Sequence, residues 1–367
     1  MLKSLKIENF RCFPSFELNP LGRVNLLVGT NNSGKTSILE AIQLLCSRAS
    51  LETWRDIIIN RGEYIVLTEV TEERVWQRGG LQRELDVRHL FYGHEIDIGS
   101  TLSISGKNDS DDENLVISIE SKPNSELNLS EDLQEIVLHI KWLGKEKDSF
   151  PLPLSSNLGI PVDYARRFRR DPKNHLVKTQ FVTSSSLTTE KMIELFDQVV
   201  LQPEEALITQ ALNTIEPSIE RIASFSAEKY RILGSRSGFV VRLTNSNQRI
   251  PIGSMGDGIW RILGLTLALV NARNGVLLVD EIDTGLHFSA MSDMWKLIWK
   301  TAKDLNVQVF ATTHSSDCWK SLDAIANSEN PSEDGITIQR IERDKSSSIV
   351  FNERQIVIAA ERGIEVR

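Results

Sequence analysis

Residues Gly29 to Thr36 read G-T-N-N-S-G-K-T, between the largely apolar run Val24-Asn25-Leu26-Leu27-Val28 and the segment Ser37-Ile38-Leu39-Glu40-Ala41-Ile42-Gln43-Leu44-Leu45. Apolar residues recur at helical spacing in the second flank, so the glycine-rich segment is a turn from a strand into a helix. Gly29 and Gly34 let the backbone aim its N–H groups inward, and the helix N-terminus adds partial positive charge at the same place. Lys35 would reach the β- and γ-phosphates of a bound polyphosphate, and Thr36 would hold Mg²⁺. The candidate cradle is Gly29, Asn31, Asn32, Ser33, Gly34, Lys35, Thr36 and Ser37.

Far along the chain, Gly275-Val276-Leu277-Leu278-Val279-Asp280-Glu281 is a short apolar run ending in two carboxylates. Such a run is expected to be a buried parallel strand that delivers both acids at its carboxyl end. Asp280 would orient Mg²⁺ through water, and Glu281 would face the attacking water as general base. A third strand-like run, Val307 to Thr313, ends at His314 and Ser315. Placed beside the carboxylate strand, it would point His314 at the γ-phosphate. The other histidines, His89, His94, His139, His175 and His287, have no metal-ligand spacing with cysteine or acid.

The stretch Ser254-Met255-Gly256-Asp257-Gly258 opens a strongly apolar segment, Ile259 to Val270, that reads as a buried helix. Taken in order, the phosphate loop, S-x-G-D-G, D-E and the strand-borne histidine resemble the ABC-type ATPase heads of three families. These are RecF, structural-maintenance-of-chromosomes (SMC) and overcoming-lysogenization-defect (OLD) proteins, within the wider AAA class of ATP-binding proteins. The opening Leu2-Lys3-Ser4-Leu5-Lys6-Ile7-Glu8-Asn9-Phe10-Arg11 is similar to their first strand, and Ile252 to Arg261 is similar to the OLD version of their signature. Roughly residues 1 to 50 and 250 to 320 carry the resemblance.

The resemblance implies an α/β P-loop NTPase fold of the ABC type, ATP and Mg²⁺ as ligands, and a homodimer closed around ATP. It also implies that Ser254, with the backbone near Gly256, Asp257 and Gly258, meets the γ-phosphate bound by the opposite protomer. Two family features are weak. Gln77 and Gln82 match a glutamine loop by position only. Asp283-Thr284-Gly285-Leu286-His287 occupies the place of the loop that touches the partner protomer, although Asp283 could equally cap a helix beginning near Phe288.

Three regions are expected: residues 1–105 as a strand-rich lobe with the phosphate loop, 106–235 as an insert, and 236–367 as a second ATPase lobe. The insert is polar and strand-like at first, with Ile136 to Trp142 reading as a strand, then helical from Thr188 to Ala227. There Ser186 or Thr188 can cap one helix, and Pro203 and Pro217 can start others. A sustained heptad seam is absent, which separates the chain from heads that carry long coiled coils. OLD proteins continue into a metal-dependent TOPRIM nuclease domain, for which the residues after Asp323 are too few.

At 367 residues the chain can bury a substantial core. No apolar run is long enough to span a bilayer, the first strand lacks the design of a signal peptide, and Cys12, Cys46 and Cys318 have no C-x-x-C spacing. A cytoplasmic protein without a membrane partner is expected. With 42 Lys and Arg against 50 Asp and Glu, the net charge of −8 argues against indiscriminate nucleic-acid binding. Tyr164-Ala165-Arg166-Arg167-Phe168-Arg169-Arg170-Asp171-Pro172-Lys173, with Arg74, Arg78 and Arg83, reads either as a nucleic-acid patch or as a solvated face.

The sequence therefore reads as an ATPase head whose dimerisation around ATP regulates a separately encoded effector, a nuclease among the candidates, in genome maintenance or anti-phage defence. The alternatives are a directly DNA-binding repair or loading ATPase of the RecF kind, and a nucleotide-dependent scaffold with little turnover.

Overall fold

The computed structural model describes residues 1–66, 83–109, 111–123, 134–144, 147–162, 177–225, 238–244, 246, 248–327 and 335–367. At its centre, Val24–Val28 forms β3, buried at all five positions. The strand sits inside a six-stranded sheet ordered β11 (Thr179–Val182), β15 (Val276–Val279), β16 (Gln308–Thr312), β3, β17 (Ile336–Arg340) and β18 (Ile349–Phe351). All pairings are parallel except the last, between β17 and β18. A parallel sheet must be covered on both faces, which is why β3, β15 and β16 read as nearly continuous apolar runs.

Alternation along the strands splits the interior into two cores. Val24, Leu26 and Val28 face one side with Leu277, Val279, Val309 and Ala311, against α5 (Asp257–Asn271) and α6 (Phe288–Asp304). Leu27, Leu278 and Phe310 face the other side, against α1 (Lys35–Cys46), and α2 (Leu51–Asn60) adds Trp54 and Ile58 to the same core. Every residue of α5 from Ile259 to Val270 is buried, so this helix has no solvent face and is fixed by packing all round.

Beyond α1 lies an antiparallel sheet ordered β2 (Phe13–Leu18), β1 (Leu2–Phe10), β6 (Thr101–Asn108), β7 (Asp112–Pro123), β8 (Gln134–Leu143) and β9 (Asp148–Pro153). Its strands bury alternate residues, among them Leu102 and Ile104, against the α1 layer. The fold is the P-loop NTPase of ABC type, α/β with a strand-rich N-terminal lobe. The boundary expected between residues 105 and 106 falls inside β6, which pairs with both β1 and β7, so that sheet runs on through it.

The two sheets are joined by buried polar struts. The Gln308 side chain donates to the carbonyls of Leu2 and Gly22, each at 2.8 Å, and accepts from Leu2 N at 2.9 Å. Arg11, at the β1–β2 turn, donates to Glu40 of α1 at 3.0 Å and also pairs with Glu63, while Arg61 reaches the other oxygen of Glu40 at 2.7 Å. Arg11 and Glu40 are each only 4% exposed. Charges at that depth persist only in pairs.

Of the expected helices, α3 (Thr189–Asp197) is capped by the Thr188 side chain, and α4 (Glu205–Asn213) begins just after Pro203. Pro217 starts no helix. Ile219–Ser224 is instead β12, paired with β13 (Phe239–Leu243), with a register shift between Ile219 and Arg221 that lets both Ile219 and Ile222 enter the first core from a strand, so tertiary packing overrides the local helical pattern. The short β14 (Ile250–Pro251) completes this small sheet on the far side of β13. Phe196 and Trp260 both pack edge-on to Phe239, which docks α3 and the small sheet onto α5. Gln77, Gln82, Arg74, Arg78, His175 and the Tyr164 to Lys173 patch lie outside the described residues. Arg83 begins β5 (Arg83–Asp86), which pairs with β4 (Tyr64–Val66) and β10 (Gly159–Pro161), and its guanidinium lies 5.3 Å from the centre of the Tyr64 ring. No helix among the described residues is long and apolar enough to cross a membrane.

Replacing Gln308 by Leu keeps the volume but leaves the Leu2 N–H and C=O buried without partners. At about 1–3 kcal/mol for each orphaned group, the variant should unfold at clearly lower denaturant. A wild-type denaturation midpoint would refute the strut.

Candidate functional site

Val279 of β15 lies opposite Ala311 of β16, and Thr312 of β16 lies opposite Leu27 of β3. The carboxyl ends of the three strands therefore coincide, and the residues after them share one crevice, the usual ligand position of a parallel α/β sheet. Gly29 leaves β3 at φ 146°, and Gly34 enters α1 at φ 97°. A Cβ at Gly29 would come within 2.4 Å of the Ile341 carbonyl oxygen, and one at Gly34 within 2.3 Å of the Phe13 ring. Neither position can carry a side chain. Asn32 takes the left-handed conformation between them at φ 59°.

No side chain caps the N-terminus of α1, so its first amides keep their capacity for an anion. The Lys35 ammonium folds over the loop and donates to the carbonyls of Gly29 at 2.9 Å and Thr30 at 2.8 Å, with Ser33 Oγ at 3.4 Å. Burial pushes its pKa down to about 8, and Asp280 and Glu281 pull it part of the way back. Ser37 is buried behind the loop, whereas Asn31 and Asn32 are exposed on its rim.

Thr36 Oγ1 lies 3.2 and 3.1 Å from the two carboxylate oxygens of Asp280, although the residues are 244 apart in sequence. Thr312 organises the acids. Its hydroxyl donates to Asp280 Oδ1 at 2.7 Å and accepts from the Glu281 amide at 2.8 Å. Glu281 takes φ 48°, unusual for a residue with a side chain, and its Oε2 accepts from Thr284 Oγ1 at 3.2 Å. From behind, the buried Arg261 of α5 donates to the carbonyl oxygens of Asp280 at 2.9 Å, Glu281 at 2.8 Å and Thr183 at 2.7 Å.

His314 comes after Thr312 and Thr313, enters the crevice and is partly exposed. Burial and the Lys35 charge lower its pKa, against the pull of Glu281, Asp283 and Asp280, so the ring is neutral at pH 7. Asp283 does not cap α6. Its carboxylate accepts from Thr313 Oγ1 at 2.6 Å, and His287 serves as the cap through Ser289 N.

Ser254 lies in an exposed turn of Ile252–Met255, with its hydroxyl donating to the Pro251 carbonyl at 2.7 Å. Gly256 at φ 94° has open space where a Cβ would stand, and no side chain caps the helix that Asp257 begins. Gly258 packs close to the Gly285 carbonyl, so this loop lies against the segment just after Glu281.

The expected phosphate-loop residues, Asp280, Glu281 and His314 are thus brought together, while Ser254, Gly256 and Asp257 form a separate exposed loop. Sequence pattern did not single out Thr312, Thr313 or Arg261. The paired threonines closing an apolar strand directly before His314 were a usable signal for the first two. Arg261 had none, because an arginine inside an apolar helix does not name its acceptors.

A protein-family model described as "AAA domain, putative AbiEii toxin, Type IV TA system" matches residues 24–317. The chain is 23% identical over 355 residues to an ATP/GTP phosphatase of Helicobacter pylori, covering 89% of this chain and 88% of that protein. Shorter likenesses include the OLD nuclease of Thermus scotoductus, 51% identical over 45 residues, or 12% of this chain and 8% of that protein. Among solved structures, an SMC head bound to the C-winged helix domain of ScpA aligns over 96% of this chain and 98% of its own, at 14% identity and a TM-score of 0.47. Since the family match spans residues 24–317, from the first residue of β3 to just past His314, the chain belongs to this AAA-domain family, as an ATPase head of the ABC type.

Proposed function

We propose that the chain binds Mg-ATP in the crevice at the ends of β3, β15 and β16 and closes it with the exposed Ser254 loop of a second copy. Hydrolysis would then release the pair and switch a separately encoded effector. The observation that carries this reading is the meeting of Thr36 with both oxygens of Asp280, one residue before Glu281. Two hard oxygen ligands beside a glycine cradle suit Mg²⁺ and a polyphosphate.

Phosphoryl transfer asks the protein mainly for positioning and electrostatic stabilisation. Lys35 supplies a fixed positive charge at the β- and γ-phosphates, and the uncapped amides of α1 add donors. Mg²⁺ held by Thr36 and Asp280 would supply further charge against that developing on the phosphate oxygens. Glu281 takes the proton of the attacking water, and neutral His314 holds a hydrogen bond beside it. The Ser254 loop, with its open glycine and helix amides that no side chain caps, is exposed, so a second molecule can reach it. A γ-phosphate held by a second copy has the matching charge. The OLD and RecF likenesses support an effector in genome maintenance or defence.

Glu281→Gln keeps shape and reach but removes the base. ATP should still bind, while hydrolysis falls about a hundredfold. In this variant Mg-ATP, but not ADP, should drive dimerisation measurable by light scattering. Wild-type turnover would refute the base, and equal dimer populations with ATP and ADP would refute the closed pair.

Lys35 gives a second test. Below pH 8 the free chain already carries the ammonium, so ATP affinity should be flat. Phosphates favour the charged form and raise its pKa on binding, so above pH 8 the complex must take up a proton. Affinity should then fall, approaching tenfold per pH unit. Calorimetry at pH 8.5 in buffers of different ionisation enthalpy should detect this uptake, and Lys35→Ala should abolish both the uptake and most of the binding. An affinity independent of pH would exclude Lys35 from the phosphates.

A further inference from the structure

Arg261 is 3% exposed, and the hydrogen bonds from its guanidinium reach main-chain carbonyls. One NH group spans to Thr183, just beyond β11, and the other reaches Asp280 and Glu281, just beyond β15. Those strands are parallel neighbours, with Val182 opposite Val279. Where strands end, their last carbonyls have no ladder partner, and a fork of several N–H donors can satisfy them together. The arrangement is an expensive one, since among the described residues the buried charge has no bonded carboxylate and Arg261 Nε has no partner.

Its consequence falls on Glu281. The left-handed backbone at φ 48° persists only when surrounding contacts over-determine it. Here Thr312 holds the amide, Thr284 touches the carboxylate, and Arg261 holds the carbonyl. The same arginine sits one helical turn beyond Asp257, on the helix whose first residues form the exposed Ser254–Gly258 loop. From Ile259 to Val270 every residue of α5 is buried, so Arg261 is held within a packed helix, and at its start Gly258 lies against the turn after Glu281, where an added Cβ would stand 3.3 Å from the Gly285 carbonyl oxygen.

We infer that Arg261 is a positioning residue that fixes the Glu281 backbone and links it mechanically to the Ser254–Gly258 loop. Engagement of that loop by a phosphate in the second copy's site then bears on the general base of the chain's own site. The inference rests on the proposed roles of Glu281 and of the exposed loop.

The test uses the full chain with Arg261→Met and Arg261→Lys, each alone and combined with Glu281→Gln. Steady-state hydrolysis gives kcat and KM, and calorimetry gives the ATP Kd. Arg261→Met should lower kcat about 10- to 100-fold with Kd changed by less than about threefold, since the Glu281 backbone is released while Thr36 and Thr312 still meet the Asp280 carboxylate and the phosphate loop is untouched. Arg261→Lys, which keeps the charge and some donors, should recover part of kcat and decides the matter if the Met variant does not melt cooperatively. In the Glu281→Gln background, loss of Arg261 should lower the residual rate by less than about twofold, because the group it positions is gone. Wild-type kcat in both Arg261 variants overturns the inference, as do multiplicative losses in the double variants or a fall in affinity that matches the fall in kcat. Wild-type turnover by Glu281→Gln alone instead overturns the general-base reading beneath it.

Discussion

Because β15, β16 and β3 pair in parallel with Val279 opposite Ala311 and Thr312 opposite Leu27, their carboxyl ends stop at one level, and the residues beyond each strand are forced into one small volume. A one-residue slip of β16 would carry Thr312 away from Asp280 and turn its side chain to the other face. Register is therefore what holds the site, and the buried apolar residues on both faces of the sheet hold the register. Chemistry and core stability are in this respect one property.

Around that register the molecule places polar groups where an apolar core would ordinarily exclude them. Gln308 ties the first strand to the central sheet, the Arg11–Glu40–Arg61 cluster ties the antiparallel lobe to the helix behind the phosphate loop, and Arg261 ties the signature helix to the carboxylate strand. Gln308, Arg11, Glu40 and Arg261 are buried, Arg61 reaches in from an exposed position, and each bonds specific partners on a different element. Such groups contribute less to net stability than apolar residues of equal volume would. What they supply is alignment, since a hydrogen bond fails within a few tenths of an ångström whereas an apolar contact merely weakens.

The phosphate loop, the Asp280–Glu281 pair and His314 were legible because each is a local pattern: a strand, a break of special residues, then a change of period. The glycines at 29 and 34 could be read as turn residues from sequence, and to the strain of their positive φ the tertiary structure adds a clash, with the Ile341 carbonyl in one case and the Phe13 ring in the other. The helical reading near Pro217 failed for a related reason. Ile219 and Ile222 stand at helical spacing, and only the register shift in the pairing of β12 with β13 lets a strand bury both. The helix-cap reading of Asp283 failed because caps are read from neighbours, yet its partner, Thr313, lies just beyond β16.

By itself the sequence supplied the chemical vocabulary of the proposal: a glycine-rich loop suited to a polyphosphate, a hydroxyl and an acid suited to a metal, a candidate base and the parallel α/β frame that presents them. These come from short-range periodicity and from residue types whose chemistry has few substitutes. Only the tertiary structure decided that Thr36 meets Asp280 across 244 positions, that Thr312 holds both acids, and that Arg261 reaches three carbonyls at the ends of two strands. Those relations depend on distances of a few ångströms between segments remote in the chain, and sheet register and helix packing set such distances where local pattern does not.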